Sequence, residues 1–148
     1  MQLTYYSNKV YEPVCFILLK NQIQAFSRAI LSNIEGNFNG EEELAQPTFA
    51  TSIRGREFEI LEELGIQLSQ CLHVDQSYEI EDPLRSGDKV VAKTEIETVI
   101  AKPDRPGREA MSFIRFLTIY EDELSGKLRL KSRSTILAKG IELIDGAK

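Results

Sequence analysis

The residues that carry proton-transfer and metal chemistry are scarce in this chain. Its 148 residues include one His, two Cys and no Trp. Zinc sites draw mainly on His and Cys, so one His and two scattered Cys cannot form such a site without carboxylate help. Cys15 and Cys71 stand in apolar surroundings, which is typical of reduced, buried thiols rather than of a disulfide. We therefore expect neither a metal nor a cofactor.

Long apolar runs and clusters of basic residues are also missing. The longest apolar run, VCFILL at 14–19, is far shorter than the roughly 20 residues that cross a bilayer. The stretch MQLTYYSNKV (1–10) lacks the charged and apolar regions of a signal peptide. The net charge is −5, and no basic stripe exists that could displace counterions from a nucleic acid. We expect a cytoplasmic protein that uses neither a membrane nor a nucleic acid as its partner.

The remaining composition is that of an ordinary globular protein. Hydrophobic residues make up 42% of the chain and charged residues 28%, without low-complexity tracts. A length of 148 residues falls in the usual range of one domain and can bury a substantial core. The chain is therefore expected to form a single domain, residues 1–148.

The spacing of apolar residues predicts helices in the first half of the chain. Helical spacing links Ile23, Phe26 and Ile30 in one segment. The same spacing follows SIRGRE (52–57), at Phe58, Leu61, Leu64 and Leu68. The acidic residues of this second segment are expected on its exposed face; they are Glu57, Glu59, Glu62 and Glu63.

From His73 onward the spacing changes to the alternation of β-strands. One face of the first strand is predicted to hold Val74, Gln76, Tyr78 and Ile80, and the other Asp75, Ser77, Glu79 and Glu81. One side of the second strand is predicted to hold Val90, Ala92, Thr94, Ile96, Thr98 and Ile100. The third strand, AMSFIRFLTIY (110–120), is apolar on both faces, as a central strand would be. The inner face of the fourth strand is predicted to hold Leu128, Leu130, Ser132, Ser134, Ile136 and Ala138.

The connections agree with these strands. RSGD (85–88) and LSG (124–126) supply Gly where a hairpin requires positive φ. AKPDRPGRE (101–109) is predicted to be an exposed hairpin loop, and PVCFILLK (13–20) to be an additional N-terminal strand. One long helix with a run of antiparallel strands predicts an α+β domain whose sheet wraps around a central helix, the shape of the hot-dog fold. One helix cannot cover the whole sheet, so we expect a dimer.

Four segments carry a resemblance to a known family. They are YEPVCFILLKNQIQAFSRAI (11–30), QPTFATS (46–52), LHVDQSYEIEDPLRSGDKVVAKTEIETVIAK (72–102) and STILAKG (134–140). In this order they resemble the N-terminal-type hot-dog domain of the MaoC-like dehydratases. That domain recurs as the non-catalytic subunit of heterodimeric R-specific hydroxyacyl-ACP dehydratases. The resemblance implies an acyl thioester of CoA or of an acyl carrier protein as ligand, and a homodimer or a heterodimer with a catalytic hot-dog subunit.

The loop after the first helix departs from the catalytic members of that family. Those members carry an Asp-x-Asn-Pro-x-His pattern there, since hydration of an enoyl thioester needs groups that exchange protons near neutral pH. The corresponding segment here reads SNIEGNFNGEEE (32–43). Asn33, Asn37 and Asn39 can form hydrogen bonds but cannot take up a proton, and Glu35 fits a solvated loop carboxylate better than a general base. We expect no catalytic residue in this chain and no hydratase activity of the chain alone.

Four residues are candidates for substrate binding. The resemblance places Thr48 and Phe49 of QPTF at the start of a long central helix beside an acyl tunnel, although a simple helix start with Phe49 in the core remains the alternative. His73 and Asp75 share strand parity, which permits an acid and its orienting carboxylate or only a strand-edge His. Gln76 is predicted on the apolar face, where its amide must pair with the backbone or a ligand.

Two classes of function remain open from the sequence. The first is a non-catalytic or tunnel-forming subunit of an R-specific hydroxyacyl-thioester dehydratase or enoyl hydratase. The second is a self-sufficient homodimeric hot-dog thioesterase or acyl-CoA-binding protein, in which a helix carboxylate and helix dipoles direct water at the thioester. Arg85, beside the SGD turn, is a turn residue in the simplest interpretation and a phosphate contact in the other.

Overall fold

An antiparallel sheet organises the chain. The computed structural model describes residues 1–29, 38–39, 42–43, 50 and 53–147, and within them five strands form the main sheet. The elements in chain order are β1 Gln2–Tyr5, β2 Val14–Ile17, α1 Lys20–Ala29, β3 Phe38–Asn39, β4 Glu42–Glu43, α2 Glu57–Glu63, β5 Cys71–Ile80, β6 Lys89–Lys102, β7 Met111–Asp122, β8 Leu128–Lys139 and β9 Glu142–Asp145.

The main sheet confirms the predicted strands and the α+β class. Its order is β2-β6-β7-β8-β5, so the strand predicted to be central, β7, lies in the middle. Phe116, Leu117 and Thr118 are consecutive and all buried, as expected of a strand covered on both faces. Gly87 and Gly126 adopt φ of 85° and 70° in the two predicted turns. The four long predicted strands, the predicted N-terminal strand and two Gly turns therefore account for this five-stranded sheet.

A β-bulge in β5 overturns the predicted faces of His73 and Val74, whereas Gln76 and Tyr78 lie on the inner face as predicted. The pairing with β8 shifts register between His73 and Asp75, so Val74 is an extra residue. Two residues of β5 then face one residue of β8, and the side chains before and after the bulge exchange sides relative to simple alternation. His73 and Gln76 consequently line the same cavity, whereas Val74 and Asp75 line another. The predicted pairing of His73 with Asp75 on one side is wrong.

A second bulge alters β6 in the same way. Its pairing with β7 shifts register between Ile96 and Thr98. Ile96 is buried, but Ile100 is 61% exposed, and Val99 packs against the core instead. The predicted inner face is therefore correct up to Ile96 and wrong beyond it.

Helix α2 packs on the inner face of the sheet and is much shorter than predicted. It begins at Glu57 and buries Ile60 and Leu61, which belong to the same apolar cluster as Phe116 of β7. The predicted start of a long central helix at QPTF (46–49), with Thr48 and Phe49, lies outside the described residues. Helix α1 agrees with its prediction. In the described part of the chain no helix is long and apolar enough to cross a membrane.

A parallel strand pair that the sequence did not predict joins the two ends of the described chain. β1 and β9 pair in parallel from Gln2 with Glu142 to Tyr5 with Asp145. The Ser112 hydroxyl of β7 donates to the Ile141 carbonyl at 2.8 Å and accepts from the Leu143 amide at 3.0 Å. This buried serine therefore fixes the small sheet against the central strand.

The turn PLRSGD (83–88) is held by a buried cation rather than open for a ligand. Arg129 of β8 is 4% exposed, and its Nη2 lies 2.7 Å from Asp88 Oδ2 and 2.5 Å from the Pro83 carbonyl oxygen. Arg85 Nη1 lies 3.2 Å from Asp82 Oδ1. These contacts support the turn interpretation of Arg85.

The two cysteines differ from their predicted burial. Cys15 is exposed on β2 and Cys71 is half-buried at the start of β5. Both are free thiols, as expected, and partial burial raises the pKa of the Cys71 thiol. The expectation of two buried thiols is wrong because each lies on an edge strand of the main sheet, where one side has no neighbouring strand.

Candidate functional site

A cavity of about 340 Å³ lies between helix α2 and the inner faces of β5, β7 and β8. This volume is in the range of small-molecule sites. Phe58, Leu61 and Ile136 contribute apolar wall, and polar groups of the helix and the strands face the same space. The polar residues that line the cavity are Arg54, Glu57, His73, Gln76, Tyr78, Tyr120, Ser132 and Ser134. An apolar cavity with a few convergent polar groups is a binding-site candidate.

The start of α2 lies against the sheet because of a glycine. A Cβ at Gly55 would collide with the Thr94 side chain and come within 3.0 Å of Thr118 Cγ2. The close approach allows the Arg56 amide to donate to Thr94 Oγ1 at 3.0 Å. Gly55 therefore sets how deeply the first turn of α2 enters the sheet's concave face.

A chain of hydrogen bonds leads from that amide to Glu57. Thr94 Oγ1 and Thr118 Oγ1 are 2.9 Å apart, and the Thr118 hydroxyl donates to Glu57 Oε1 at 2.7 Å. An amide only donates and an ionised carboxylate only accepts, so the Thr94 hydroxyl must donate to Thr118. The amide donor at one end and the carboxylate acceptor at the other thus fix the direction of these hydrogen bonds. Glu57 Oε1 is their final acceptor.

The other carboxylate oxygen of Glu57 has no hydrogen-bond partner in the part of the chain that the structure describes. Within the described residues, Oε2 is buried and makes no hydrogen bond. An unpaired buried acceptor destabilises a protein by about 1–3 kcal/mol, and more when it is charged. The residue also lines the cavity. Glu57 is therefore the polar group of this site that most needs a ligand or a solvent partner.

The sequence prediction for Glu57 is wrong, although a signal was present. A buried row of Phe58, Leu61 and Leu64 places Glu57 among the exposed glutamates. Phe58 is 41% exposed, while Ile60 and Leu61 are fully buried. Glu57 stands three and four positions before Ile60 and Leu61, which is the spacing of one helix face. The sequence signal was therefore a carboxylate at helical spacing from the two buried residues.

The β5 bulge builds the second polar element of the site. His73 Nε2 lies 3.2 Å from Gln76 Oε1, and Gln76 Nε2 donates to Ser132 Oγ at 2.6 Å. Since the Gln76 amide nitrogen is used toward Ser132, its oxygen accepts the Nε2 proton of His73. Gln76 is paired with side chains, not with the helix backbone as one prediction had it. His73 has no hydrogen bond to Asp75, so the predicted acid and orienting carboxylate are not formed.

Two tyrosines complete the wall of the cavity. The Tyr120 hydroxyl donates to the Ile53 carbonyl at 2.8 Å. Burial, followed by the Glu57 charge, strongly raises the pKa of Tyr120 and raises the pKa of Tyr78 as well. Both phenols therefore stay neutral near pH 7 and serve as hydrogen-bonding groups rather than as bases.

The structure describes two of the four predicted binding residues. Gln76 and His73 lie together at the cavity, with His73 exposed at its rim and Gln76 half-buried. Thr48 and Phe49 lie outside the described residues, and their tunnel role stays a prediction. The arrangement offers a carboxylate oxygen, the guanidinium of Arg54, an amide, hydroxyls and apolar wall, which suits an apolar chain carrying polar substituents.

Comparison with known proteins agrees with this architecture. Residues 7–125 match the family model described as FAS1-like, dehydratase domain region. A UPF0336 protein of Cutibacterium acnes is 31% identical over 87 residues, a match that covers 57% of this chain and 61% of the relative's length. The chain therefore spans about three fifths of the length of that relative.

Solved structures show the fold. The HadBC complex, a (3R)-hydroxyacyl-ACP dehydratase of Mycobacterium tuberculosis, superposes with a TM-score of 0.67 at 20% identity, covering 87% of this chain and 93% of that chain. A MaoC-like dehydratase of Rhodospirillum rubrum has a TM-score of 0.57 at 14% identity, with 88% and 92% coverage. The predicted hot-dog fold and the resemblance to MaoC-like dehydratases are confirmed.

Proposed function

The chain belongs to the FAS1-like dehydratase family, and from this premise we propose that it is the substrate-binding, non-catalytic subunit of an R-specific hydroxyacyl-thioester dehydratase or enoyl hydratase. The ligand is an acyl thioester of CoA or of an acyl carrier protein. A catalytic hot-dog partner supplies the Asp and His. Helix α2 and strands β5, β7 and β8 supply the wall of the acyl site.

One observation carries this proposal: the only His of the chain bonds an amide. General acid-base work at an enoyl thioester needs a proton-exchanging group oriented toward the reacting atoms. His73 Nε2 is engaged by Gln76 Oε1, and Gln76 is anchored in turn by Ser132. This arrangement holds the imidazole at the rim of the cavity as a hydrogen-bonding group. It supports binding rather than proton transfer.

The partner is proposed to pair along the free edge of β5. This strand ends the main sheet, is 10 residues long and presents Leu72, Val74 and Ile80, which are 49%, 50% and 40% exposed. The opposite edge, β2, has only 4 residues. A long apolar strand edge favours pairing with another chain. The HadBC neighbour, itself a complex of two chains, supports the same assembly.

Glu57 favours a second candidate, a self-sufficient thioesterase. Its Oε2 is buried at the cavity without a partner in the described chain. A carboxylate in that position would act as general base, taking a proton from water while the water oxygen attacks the thioester carbonyl and the thiol leaves. Hydrolysis of acyl-CoA by the chain alone would favour this candidate over the first.

Turnover assays separate the two. The purified chain is incubated with an enoyl-CoA, and hydration is followed by loss of the absorbance of the conjugated thioester. Free thiol is measured in parallel with a thiol reagent. We expect neither reaction from the chain alone, and hydration once a hot-dog chain that carries the Asp and His is added. Hydration by the chain alone that disappeared in His73→Ala would overturn the proposal.

Assembly is tested by sedimentation of two matched variants. Val74→Glu places a charge on the β5 edge, and Leu124→Glu places one on a turn residue that is 91% exposed. We expect a dimer, alone or with the catalytic chain, that dissociates in Val74→Glu but not in Leu124→Glu. A stable monomer at micromolar concentration that also fails to bind the catalytic chain would count against the partner.

A further inference from the structure

The orientation of Glu57 determines which substituents the acyl site accepts. Its Oε1 is occupied by the Thr118 hydroxyl, and its Oε2 is buried at the cavity without a hydrogen bond among the described residues. An ionised carboxylate oxygen only accepts hydrogen bonds. A ligand group that meets Oε2 must therefore be a donor.

The rest of the cavity disfavours a cationic donor, because Arg54 also lines it, and favours a neutral donor on an apolar chain. Leu61 and Ile136 form apolar wall, and the tyrosines beside Glu57 are neutral phenols. A hydroxyl satisfies Oε2 and leaves the neighbouring carbons in apolar contact. A ketone or a saturated methylene leaves the charged oxygen unpaired, which is the condition under which protein sites discriminate most strongly.

We propose that Glu57 is a specificity-determining residue that selects hydroxyacyl thioesters over ketoacyl and saturated acyl thioesters through a hydrogen bond from the ligand hydroxyl to Oε2. This inference rests on the proposed function, because it assumes that the cavity holds an acyl thioester. It assigns Glu57 to recognition of the hydroxylated substrate or product. Glu57 takes no part in proton transfer.

The direction of the hydrogen bonds through Thr94 and Thr118 fixes how the side chain of a Glu57→Gln variant is oriented. The Arg56 amide donates to Thr94, so Thr94 donates to Thr118 and Thr118 donates to the oxygen of residue 57. In Glu57→Gln the amide oxygen takes that place, and the NH₂ group turns toward the cavity. The site then presents a donor where the wild type presents an acceptor. A ketone becomes acceptable and the preference for a hydroxyl falls.

The experiment is calorimetric titration with three CoA thioesters of equal chain length: (R)-β-hydroxyoctanoyl-CoA, β-ketooctanoyl-CoA and octanoyl-CoA. A hydrogen bond to a charged group corresponds to about ten- to a hundredfold in affinity. We expect the wild type to bind the hydroxyacyl ligand more tightly than the other two by that factor. In Glu57→Gln we expect the ratio of ketoacyl to hydroxyacyl affinity to rise by at least about tenfold.

Glu59→Gln is the matched control, since it removes the same charge from the same helix at a side chain that is 59% exposed. It should keep the wild-type order of affinities. Equal affinity of the wild type for all three ligands, or an unchanged order in Glu57→Gln, would overturn the inference and leave the proposed function standing. Binding of none of the three would overturn the proposed function and the inference together. The wild-type series decides the inference even if Glu57→Gln does not fold.

Discussion

Thr118 of β7 donates a 2.7 Å hydrogen bond to Glu57 of α2, across 61 positions of sequence. Thr118 is completely buried, and its hydroxyl also contacts Thr94 at 2.9 Å. This bond joins the short central helix to the middle of the sheet and orients the carboxylate at the cavity. The Thr118 hydroxyl is therefore expected to affect both the stability of the protein and the ligand preference of the cavity.

Thr118→Val tests the structural side of that contact. The substitution keeps the shape of the side chain but leaves the Thr94 hydroxyl and Glu57 Oε1 without this partner. We expect the free energy of unfolding in urea to fall by about 1–3 kcal/mol. Thr98→Val, on the exposed part of β6, is the control and should change stability by less than about 0.5 kcal/mol. Equal effects of the two substitutions would contradict a stabilising role of the hydrogen bonds that Thr118 makes to Thr94 and Glu57.

Arg129→Met tests the buried cation that holds the PLRSGD turn. Its guanidinium contacts Asp82 and Asp88 from a side chain that is 5% exposed. Removing one partner of a buried ion pair leaves the carboxylates uncompensated, so we expect a loss of about 3 kcal/mol in chemical unfolding.

Arg133→Met provides the comparison on the same strand. Arg133 contacts Glu79 and Glu97 with a side chain that is 25% exposed. Exposed ion pairs contribute about 0–1 kcal/mol because water and salt screen them. The turn assignment fails if Arg133→Met costs as much as Arg129→Met.

Asp122→Asn tests the turn between β7 and β8 through its pH dependence. Hydrogen bonds from the Ser125 amide and hydroxyl, and then the nearby Arg129 charge, lower the pKa of Asp122 in the folded protein. A lowered folded-state pKa contributes stability above the unfolded-state pKa of about 3.9 and loses it as the pH falls further. We expect thermal unfolding profiles of Asp122→Asn to decline less steeply than wild type below that pH. Superimposable profiles would exclude this role.

Leu143→Ala tests the strand pair that joins β1 and β9. Leu143 is 4% exposed and packs in the same cluster as Ile60 and Leu61. Truncating a buried leucine typically costs about 2–5 kcal/mol. Ile144→Ala, at a neighbouring residue that is 43% exposed, should cost far less. Similar costs measured by urea unfolding would place Leu143 outside the core.

Helix α1, the four long strands and their Gly turns were predictable because local apolar spacing and turn chemistry act over a few residues. The hot-dog arrangement was predicted from the same elements and agreed with the resemblance, and Gln76 was expected on the apolar face. The β1 and β9 pair was not predictable in this way, because each strand has only 4 residues and its partner lies at the far end of the chain. The faces of β5 were wrong for His73 and Val74, at its bulge, and those of β6 were wrong beyond its bulge, since one extra residue reverses the alternation across it.

Sequence alone determined the α+β class, the order of the strands along the chain and the lack of an Asp and His pair in the loop after the first helix. These follow from composition, period and residue type, which are local properties. Only the tertiary structure decided that His73 bonds Gln76 instead of Asp75, because that depends on a register shift against β8. Only the tertiary structure brought Glu57 to the cavity, with one oxygen held by Thr118 and the other unpaired among the described residues. That contact requires Gly55 to let the helix approach two strands that come later in the chain, and no local pattern encodes such an approach.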